Sequence, residues 1–586
     1  MLAEFGETLV FCQTDADCPY EWSTGVRVPI TAVLIGPQPV DGDGYLRESL
    51  AALKVTVVDA TGPAATARIV ASASTTGRIA LIDRRFVGHR HALRLALADP
   101  RWPVLHAPGI LTVSGPAREA LAARLRAIPD LTGHRVEGGS PAAQLTAPRP
   151  LGADTLATAL ADEDGIPVRE VALPDGLIAK LITEPLSARK DGYAEVAATD
   201  DEAIRLRRAV KNDDGLFTTL CVSSYSRYLA RWCARRGLTP NVVTTLSLLI
   251  ALAGAGAAIS GTRPGYIIAA LALYFSFVLD CVDGQLARYS LTFSRIGSWL
   301  DATFDRVKEY AVFAGLAIGS TRHGDNVWLL ACLAMALQTI RHHVDFAFHE
   351  GQRTEAATET SSSTKVTAAP PPPAKTPVYW AKKSVILPIG ERWAMISILT
   401  AIFTPKVTFL ALLIWGVFAL AYITAGRVAR SVRQSTPRSS AALDALAAMM
   451  DTVGVPRSLL RHPLAWLVPP TVQGLSYLVF ILVAEFHAHA TLPAMFGLLG
   501  AIIYHQYDIV YRIRAGAGAP ASRLTLALLT QPGRFVLVLI LLLALSAGSC
   551  TLAIALLAGY LGLVALVESV HFWTRPAAPA LPADAA

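Results

Sequence analysis

The chain has 586 residues, 53% of them hydrophobic and only 17% charged, with a mean hydropathy of +0.43; that apolar excess excludes a wholly water-soluble protein and points to an integral membrane protein of several domains. The net charge of +7 does not indicate a nucleic-acid partner, because much of the basic charge flanks apolar segments and no basic stripe is interleaved with aromatics. The seven cysteines form no CxxC pair and no His–Cys cluster, which excludes a zinc or disulfide framework by spacing.

The apolar excess is uneven. Residues 1–200 read as a soluble α/β domain. Val28–Gly36 has the character of a buried strand, Tyr45–Leu53 of a helix, Lys54–Asp59 of a strand, Ala64–Ser74 of a helix, Gly77–Asp83 of a strand and His89–Ala98 of a helix. Pro103–His106 is short and extended. This alternation predicts a mostly parallel sheet. The loop Pro37–Gly44 matches neither G-x-G-x-x-G nor a P-loop, and Asp83 reads as a strand-end residue. The first residues lack the basic and apolar regions of a signal peptide, so the N-terminus is expected in the cytosol.

Residues 201–237 link this domain to the membrane. A charged helix over Asp200–Lys211 precedes an amphipathic one over Leu216–Arg236. Tyr225, Tyr228, Leu229 and Trp232 suit lipid, and Arg227, Arg231, Arg235 and Arg236 suit headgroups, so this helix is expected in the interface plane. A membrane core follows at 238–433, with spans near 240–260, 264–288, 296–319, 326–348, 389–404 and 406–428. Its Thr/Ser- and Pro-rich segment 351–383 reads as a disordered loop. A linker at 434–463 carries a helical Ala441–Met450 piece. A four-helix membrane module spans 464–575, with segments near 464–486, 491–510, 532–549 and 551–570, and 576–586 is a disordered tail. The reading is therefore a soluble α/β domain ahead of an all-α polytopic membrane region of ten spans. Arg288, Arg295, Arg341, Arg353, Lys382, Lys383, Arg427, Arg430 and Arg433 fall on one side of that topology. Positive-inside then places this side, both termini and the soluble domain in the cytosol of a multi-pass inner-membrane protein.

One stretch carries chemistry. It reads Asp280-x2-Asp283-Gly284-x2-Ala287-Arg288-x8-Gly297-x3-Asp301-x3-Asp305 inside apolar sequence, where each carboxylate is costly and needs a reason. On helices, Asp280, Asp283 and Ala287 share one face, and Gly297, Asp301 and Asp305 share another. A linker of about eight residues lets the two helices lie antiparallel, so the four Asp can converge. Four hard oxygen donors suit Mg2+ or Mn2+, and their formal charge matches two divalent ions. Gly284 and Gly297 permit close approach of a ligand to the backbone, and Arg288 offers a fork suited to phosphate.

This run, from Asp280 to Asp305, resembles the signature of the CDP-alcohol phosphatidyltransferase family at every signature position. The resemblance implies a six-helix membrane core that uses divalent metal. It implies transfer of a phospho-alcohol group from a CDP-alcohol to an acceptor hydroxyl, with release of CMP. It makes Asp280, Asp283, Asp301 and Asp305 metal ligands, with Asp305 also the base on the acceptor hydroxyl. Gly284, Ala287, Arg288, Ser294 and Gly297 would contact the CDP part, together with Asn241 and Thr244 of the Pro-Asn-x-x-Thr segment that opens the first span. The donor would be CDP-diacylglycerol or a smaller CDP-alcohol, and the acceptor an inositol phosphate or another phospho-polyol. Arg392 and Arg427 are the candidates for the acceptor site, and a homodimer is implied by resemblance alone. Residues Ile79–Leu93 and the junction Ala209–Gly215 are similar to parts of the nucleotidyltransferase domain that precedes some family members, although its glycine-rich loop is missing here. The second membrane bundle resembles an uncharacterised module fused to such transferases through Tyr507–Arg512, where Asp508 and Arg512 form an i, i+4 pair. Two rival classes remain: a transporter or flippase, and an inactive membrane scaffold. The compact Asp signature at one face speaks against the first, and the intact signature against the second.

Overall fold

The computed structural model describes residues 29–73, 77–128, 152–182, 186–211, 214–352, 376–433 and 438–575. The expectations for residues 1–28, for 353–375 and for the tail 576–586 lie outside these.

In chain order the soluble domain runs β1 (Ile30–Ile35), α1 (Gly44–Ala52), β2 (Thr56–Asp59), α2 (Pro63–Ser72), β3 (Arg78–Asp83), β4 (Phe86–Gly88), α3 (Arg90–Ala98), β5 (Val104–Ala107), β6 (Ile110–Val113), α4 (Ala117–Ala127), α5 (Ala153–Asp162), β7 (Arg169–Glu170), β8 (Ala179–Leu181), α6 (Leu186–Ala197) and α7 (Asp201–Ala209). One sheet has the order β2-β1-β3-β6-β5-β7, and β4 pairs with β8. Alternation along β1 builds both faces: Val33 and Ile35 enter the core with α2, α4 and α5, while Ala32 and Leu34 enter the one with α1 and α3. The sheet is mixed: β1 pairs parallel with β2 and β3, and β5 with β7, while β6 runs antiparallel to both β3 and β5. Two residues, Pro108 and Gly109, turn β5 directly into β6, and Gly109 supplies the positive φ of 74° that such a tight hairpin requires. Asp83 ends β3, where its carboxylate accepts bonds from Arg85 at 2.9 and 2.7 Å.

The membrane region continues with α8 (Ser223–Arg235), α9 (Pro240–Ala258), α10 (Arg263–Ser290), α11 (Arg295–Arg322) and α12 (Trp328–Gly351). Tyr228 and Trp232 on α8 are about half exposed, at 52% and 49%, as an interfacial helix requires. Helices Ile389–Ile402 and Pro405–Arg433 complete the core, and Val468–His487, Leu492–Arg514, Gln531–Ala544 and Ala547–Thr574 form the C-terminal bundle, linked through Ser440–Met449. Among the described residues six helices are long and apolar enough to cross a membrane, and seven if the pair Pro377–Val385 and Ile389–Ile402, bent by 68°, counts as one broken span. The ten helices expected as spans are all present, but α11, α12 and Leu492–Arg514 do not pass on length and apolarity alone. Polar residues explain the shortfall: α11 holds Asp301, Asp305, Arg306, Lys308 and Glu309, α12 holds Gln338, Arg341, His342, His343 and Asp345, and Leu492–Arg514 holds His505, Gln506, Asp508 and Arg512. The loop expected to reach residue 383 ends earlier. Pro377–Val385 is helical, with Pro at its start and the Thr376 hydroxyl accepting the Tyr379 amide at 3.2 Å.

Small residues set the closest helix contacts. A Cβ placed on Gly315 or Gly319 of α11 would meet the backbone carbonyls of Ala255 and Ala258 on α9, so only glycine allows this approach. The soluble domain docks where α10 ends. There the Tyr289 carbonyl accepts from Arg94 at 2.9 Å and from Arg205 at 3.1 Å, and its hydroxyl donates to Glu202 at 2.8 Å. Tyr289 is 2% exposed, and the Arg205 guanidinium lies 3.7 Å from its ring centroid. Tyr289→Ala is expected to weaken this docking by about 3 kcal/mol. Limited proteolysis should then cut earlier between α7 and α8, and an unchanged digestion pattern would show that the docking is held elsewhere.

Candidate metal centre

Helix α10 runs unbroken past Asp280 and Asp283, one turn apart, and α11 carries Asp301 and Asp305, again one turn apart. The connection is shorter than expected. Only Leu291–Ser294 separate the helices, because Leu291 turns the chain at φ 54° and the Ser294 hydroxyl caps α11 by accepting the Gly297 amide at 2.9 Å. This tight return brings Asp280 of α10 beside Asp301 and Asp305 of α11.

Carboxylate oxygens of Asp280, Asp301 and Asp305 all lie within 4.8 Å of one another. Three hard anionic donors so disposed fit a divalent cation such as Mg2+ or Mn2+. Asp283 stands apart from this trio. It is buried, and its Oδ2 accepts the Thr244 hydroxyl at 2.6 Å. The expected convergence of four is thus three converging and one beside them, because Thr244 of α9 holds the fourth side chain.

Lys308 joins the centre as a member that the carboxylate pattern does not announce. Its side chain is fully buried, and Nζ donates to Asp280 at 2.5 Å and lies 3.4 Å from Asp305. A lysine in apolar sequence three residues after Asp305 demands an anionic partner, and that spacing is the signal that could have found it. The ammonium offsets part of the repulsion among the trio. Lys308→Met is expected to destabilise the metal-free protein by about 3 kcal/mol, since it leaves buried carboxylates unpaired. Mn2+ should restore most of the lost thermal stability. A variant as stable as wild type without metal would show that Lys308 is not the balancing charge.

The residues expected to contact the nucleotide gather at the same end. A Cβ on Gly297 would lie 2.7 Å from both Asn241 Oδ1 and Ser294 Oγ, so the starts of α9 and α11 form one polar nook. Arg288 folds back over Gly284, where an added Cβ would sit 3.4 Å from Nη1, and its Nε donates to the Ala209 carbonyl at 2.5 Å. Ala287 is half-buried, and its carbonyl accepts the Thr292 amide at 3.1 Å.

The two acceptor candidates are occupied by protein carboxylates. Arg392 is 3% exposed, and its Nε and Nη2 donate to Glu309 at 2.8 and 3.0 Å. Arg427 pairs with Asp345 and lies 5.1 Å from the Phe348 ring centroid. Each meets a protein carboxylate among the described residues. The cation next to Asp305 in sequence is Arg306, which contacts Glu309 at 3.5 Å and His342 at 3.3 Å; the pattern of carboxylates does not point to it either.

In the second bundle Asp508 does pair with Arg512, at 2.7 Å. Glu568 also binds Arg512, and Trp573 donates to Asp508 at 2.8 Å, so this group is structural. A second buried group, Asp451 with Arg534, His505 and Gln506, ties the linker to the bundle.

Residues 237–371 match the model of the CDP-alcohol phosphatidyltransferase family, and residues 392–586 match a family of unknown function, DUF5941. The second match begins within the last helices expected of the core. The chain is 42% identical over 89 residues to a phosphatidylinositol phosphate synthase of Mycobacterium tuberculosis, covering 15% of this chain and 40% of that protein. It is 37% identical over 109 residues to the enzyme of that name from Streptomyces avermitilis, covering 18% and 44%. It is 32% identical over 101 residues to an archaetidylinositol phosphate synthase of Pyrococcus horikoshii, covering 17% and 52%. The matched segments thus span between two fifths and about half of those relatives' lengths.

Proposed function

We infer, from a chain whose residues 237–371 constitute a CDP-alcohol phosphatidyltransferase domain, a metal-dependent membrane transferase. It moves a phospho-alcohol group from a CDP-alcohol to an acceptor hydroxyl and releases CMP. The observation that carries the reading is the convergence of Asp280, Asp301 and Asp305 within 4.8 Å beside a nook formed by Asn241, Ser294 and Gly297.

Asp280, Asp301 and Asp305, with Asp283 adjacent, would hold one or two Mg2+ or Mn2+ ions, which supply positive charge against the donor's diphosphate. Arg288 directs a guanidinium towards the same phosphates, and Asn241 and Ser294 orient the nucleotide. Asp305 accepts the proton of the acceptor hydroxyl as that oxygen bonds to the donor's β-phosphorus. The bond from that phosphorus to the bridging oxygen breaks, and CMP leaves with the electron pair. Positioning and charge complementarity carry most of the rate in such transfers. Cytosolic CMP and Mg2+ suit a centre on the cytosolic face.

The names of the three relatives support an inositol phosphate as acceptor, and those of the two phosphatidylinositol phosphate synthases support CDP-diacylglycerol as donor in phospholipid synthesis. Purified full-length protein incubated with CDP-diacylglycerol, Mg2+ and a panel of phospho-polyols tests this by product mass. A phosphatidyl-inositol phosphate is the expected product. A product on another polyol alone would move the acceptor assignment, and transport of intact lipid without CMP would favour the flippase.

A further inference from the structure

We propose that the C-terminal bundle positions the metal centre, with Tyr507 as the positioning residue that fixes Arg306 behind Asp305. The inference rests on the transferase reading and gives the bundle a part in that reaction.

The placement follows from helix geometry. At about 100° per residue, Thr303, Arg306 and Tyr310 lie roughly 140–200° round α11 from Asp301, on the face turned away from the carboxylate trio. Helix Leu492–Arg514 covers that back face with Tyr504, Tyr507 and Tyr511, leaving a cavity of about 70 Å3 between the two helices. Such a volume holds water and no substrate, so this contact acts through α11 and not by binding a reactant.

Tyr507 is 2% exposed, and the Arg306 guanidinium lies 5.5 Å from its ring centroid, a cation–π distance. Its hydroxyl oxygen is 2.6 Å from His342 Nδ1. The neighbours set the direction of that bond. Gln338 Oε1 accepts from Arg341 at 2.8 Å, so Gln338 Nε2 is the donor to His342 Nε2 at 2.7 Å. His342 then carries its proton on Nδ1 and donates it to Tyr507. Arg306 therefore has no acceptor on His342, despite the 3.3 Å approach. Its guanidinium is held by Glu309, 3.5 Å away, and by the face of Tyr507. Independent contacts fix the start of α11: Arg295 lies 4.6 and 4.9 Å from the ring centroids of Phe572 and Trp573, and Trp299 stacks on Trp573 at 6.3 Å. The bundle thus grips α11 at Arg295–Trp299 and at Arg306, and both metal-centre carboxylates of that helix lie between the grips.

The test uses full-length Tyr507→Leu, Tyr507→Phe, Arg306→Lys and the Leu/Lys double variant. The readouts are CMP release, the Mn2+ concentration for half-maximal rate, and thermal stability. Y507L is expected to lower kcat about tenfold and to raise the Mn2+ requirement several-fold, with the KM for CDP-diacylglycerol unchanged, because misplaced carboxylates cost rate more than donor binding. Y507F keeps the ring under Arg306 and should stay within about threefold of wild type. R306K should add little once Tyr507 is gone, since the two act as one unit. If Y507L does not insert, Tyr507→Met carries the same expectation. Wild-type kcat and Mn2+ dependence in Y507L, additive losses in the double variant, or losses that follow thermal stability alone would each overturn the proposal. Wild-type protein that releases no CMP would instead remove the transferase reading, and this inference with it.

Discussion

Asp305→Asn should slow CMP release by about 1,000-fold, the usual contribution of a positioned base, while the protein still folds and inserts. The substitution keeps the size of the side chain and removes its ability to take a proton. It also removes one charge from the trio, so the Mn2+ requirement should rise. The fold should tolerate the change, because Lys308 Nζ keeps its bond to Asp280 at 2.5 Å, whereas its approach to Asp305 is the longer one at 3.4 Å. Turnover by initial-rate CMP release, beside a thermal melt, separates the two effects. Full activity in the variant would refute the base assignment.

The second large effect concerns Arg392. Breaking its pair with Glu309, which is 1% exposed, leaves a carboxylate buried without its bidentate partner and is expected to cost about 3–5 kcal/mol. Arg306 at 3.5 Å recovers only part of that loss. Arg392→Met should therefore insert poorly or melt early, and the double variant Arg392→Met with Glu309→Gln should regain much of the stability. The same experiment decides between two roles for this residue. If Arg392→Met melts like wild type and only the KM for the phospho-polyol rises, Arg392 serves the acceptor and not the bundle.

Much of this architecture is legible in the amino-acid sequence, for identifiable physical causes. Strands β1 to β3 and helices α1 to α3 lie within two residues of their expected limits, because apolar runs and turn residues alternate cleanly there. The antiparallel β6 is not legible: Ile110–Val113 is four residues long and follows β5 after a two-residue turn, so no periodicity separates the two strands. The carboxylate cluster is legible because a carboxylate in an apolar helix is costly unless a cation or a hydrogen-bond donor meets it, and the spacing fixes the shared face. Its partners are not. Thr244 draws Asp283 aside and Glu309 takes up Arg392 through contacts between helices far apart in sequence, which spacing along one helix cannot reveal. Lys308 and Arg306 sit on the helix of Asp301 and Asp305, yet basic residues near spans read first as topology signals. The closeness of the C-terminal bundle to α11 depends on aromatic packing by Tyr507 and Trp573, residues that look like ordinary span composition.

In the proposed transferase, carboxylates of α10 and α11 together hold a divalent ion. Electron paramagnetic resonance of Mn2+ added to the purified full-length protein measures this directly, with the double variant Asp280→Asn and Asp301→Asn as its comparison. Tight, saturable Mn2+ binding by the wild type, competing with Mg2+ and lost in the variant, is the predicted result. Equal Mn2+ binding by a folded variant, or none by the wild type in the presence of CDP-diacylglycerol, would contradict it.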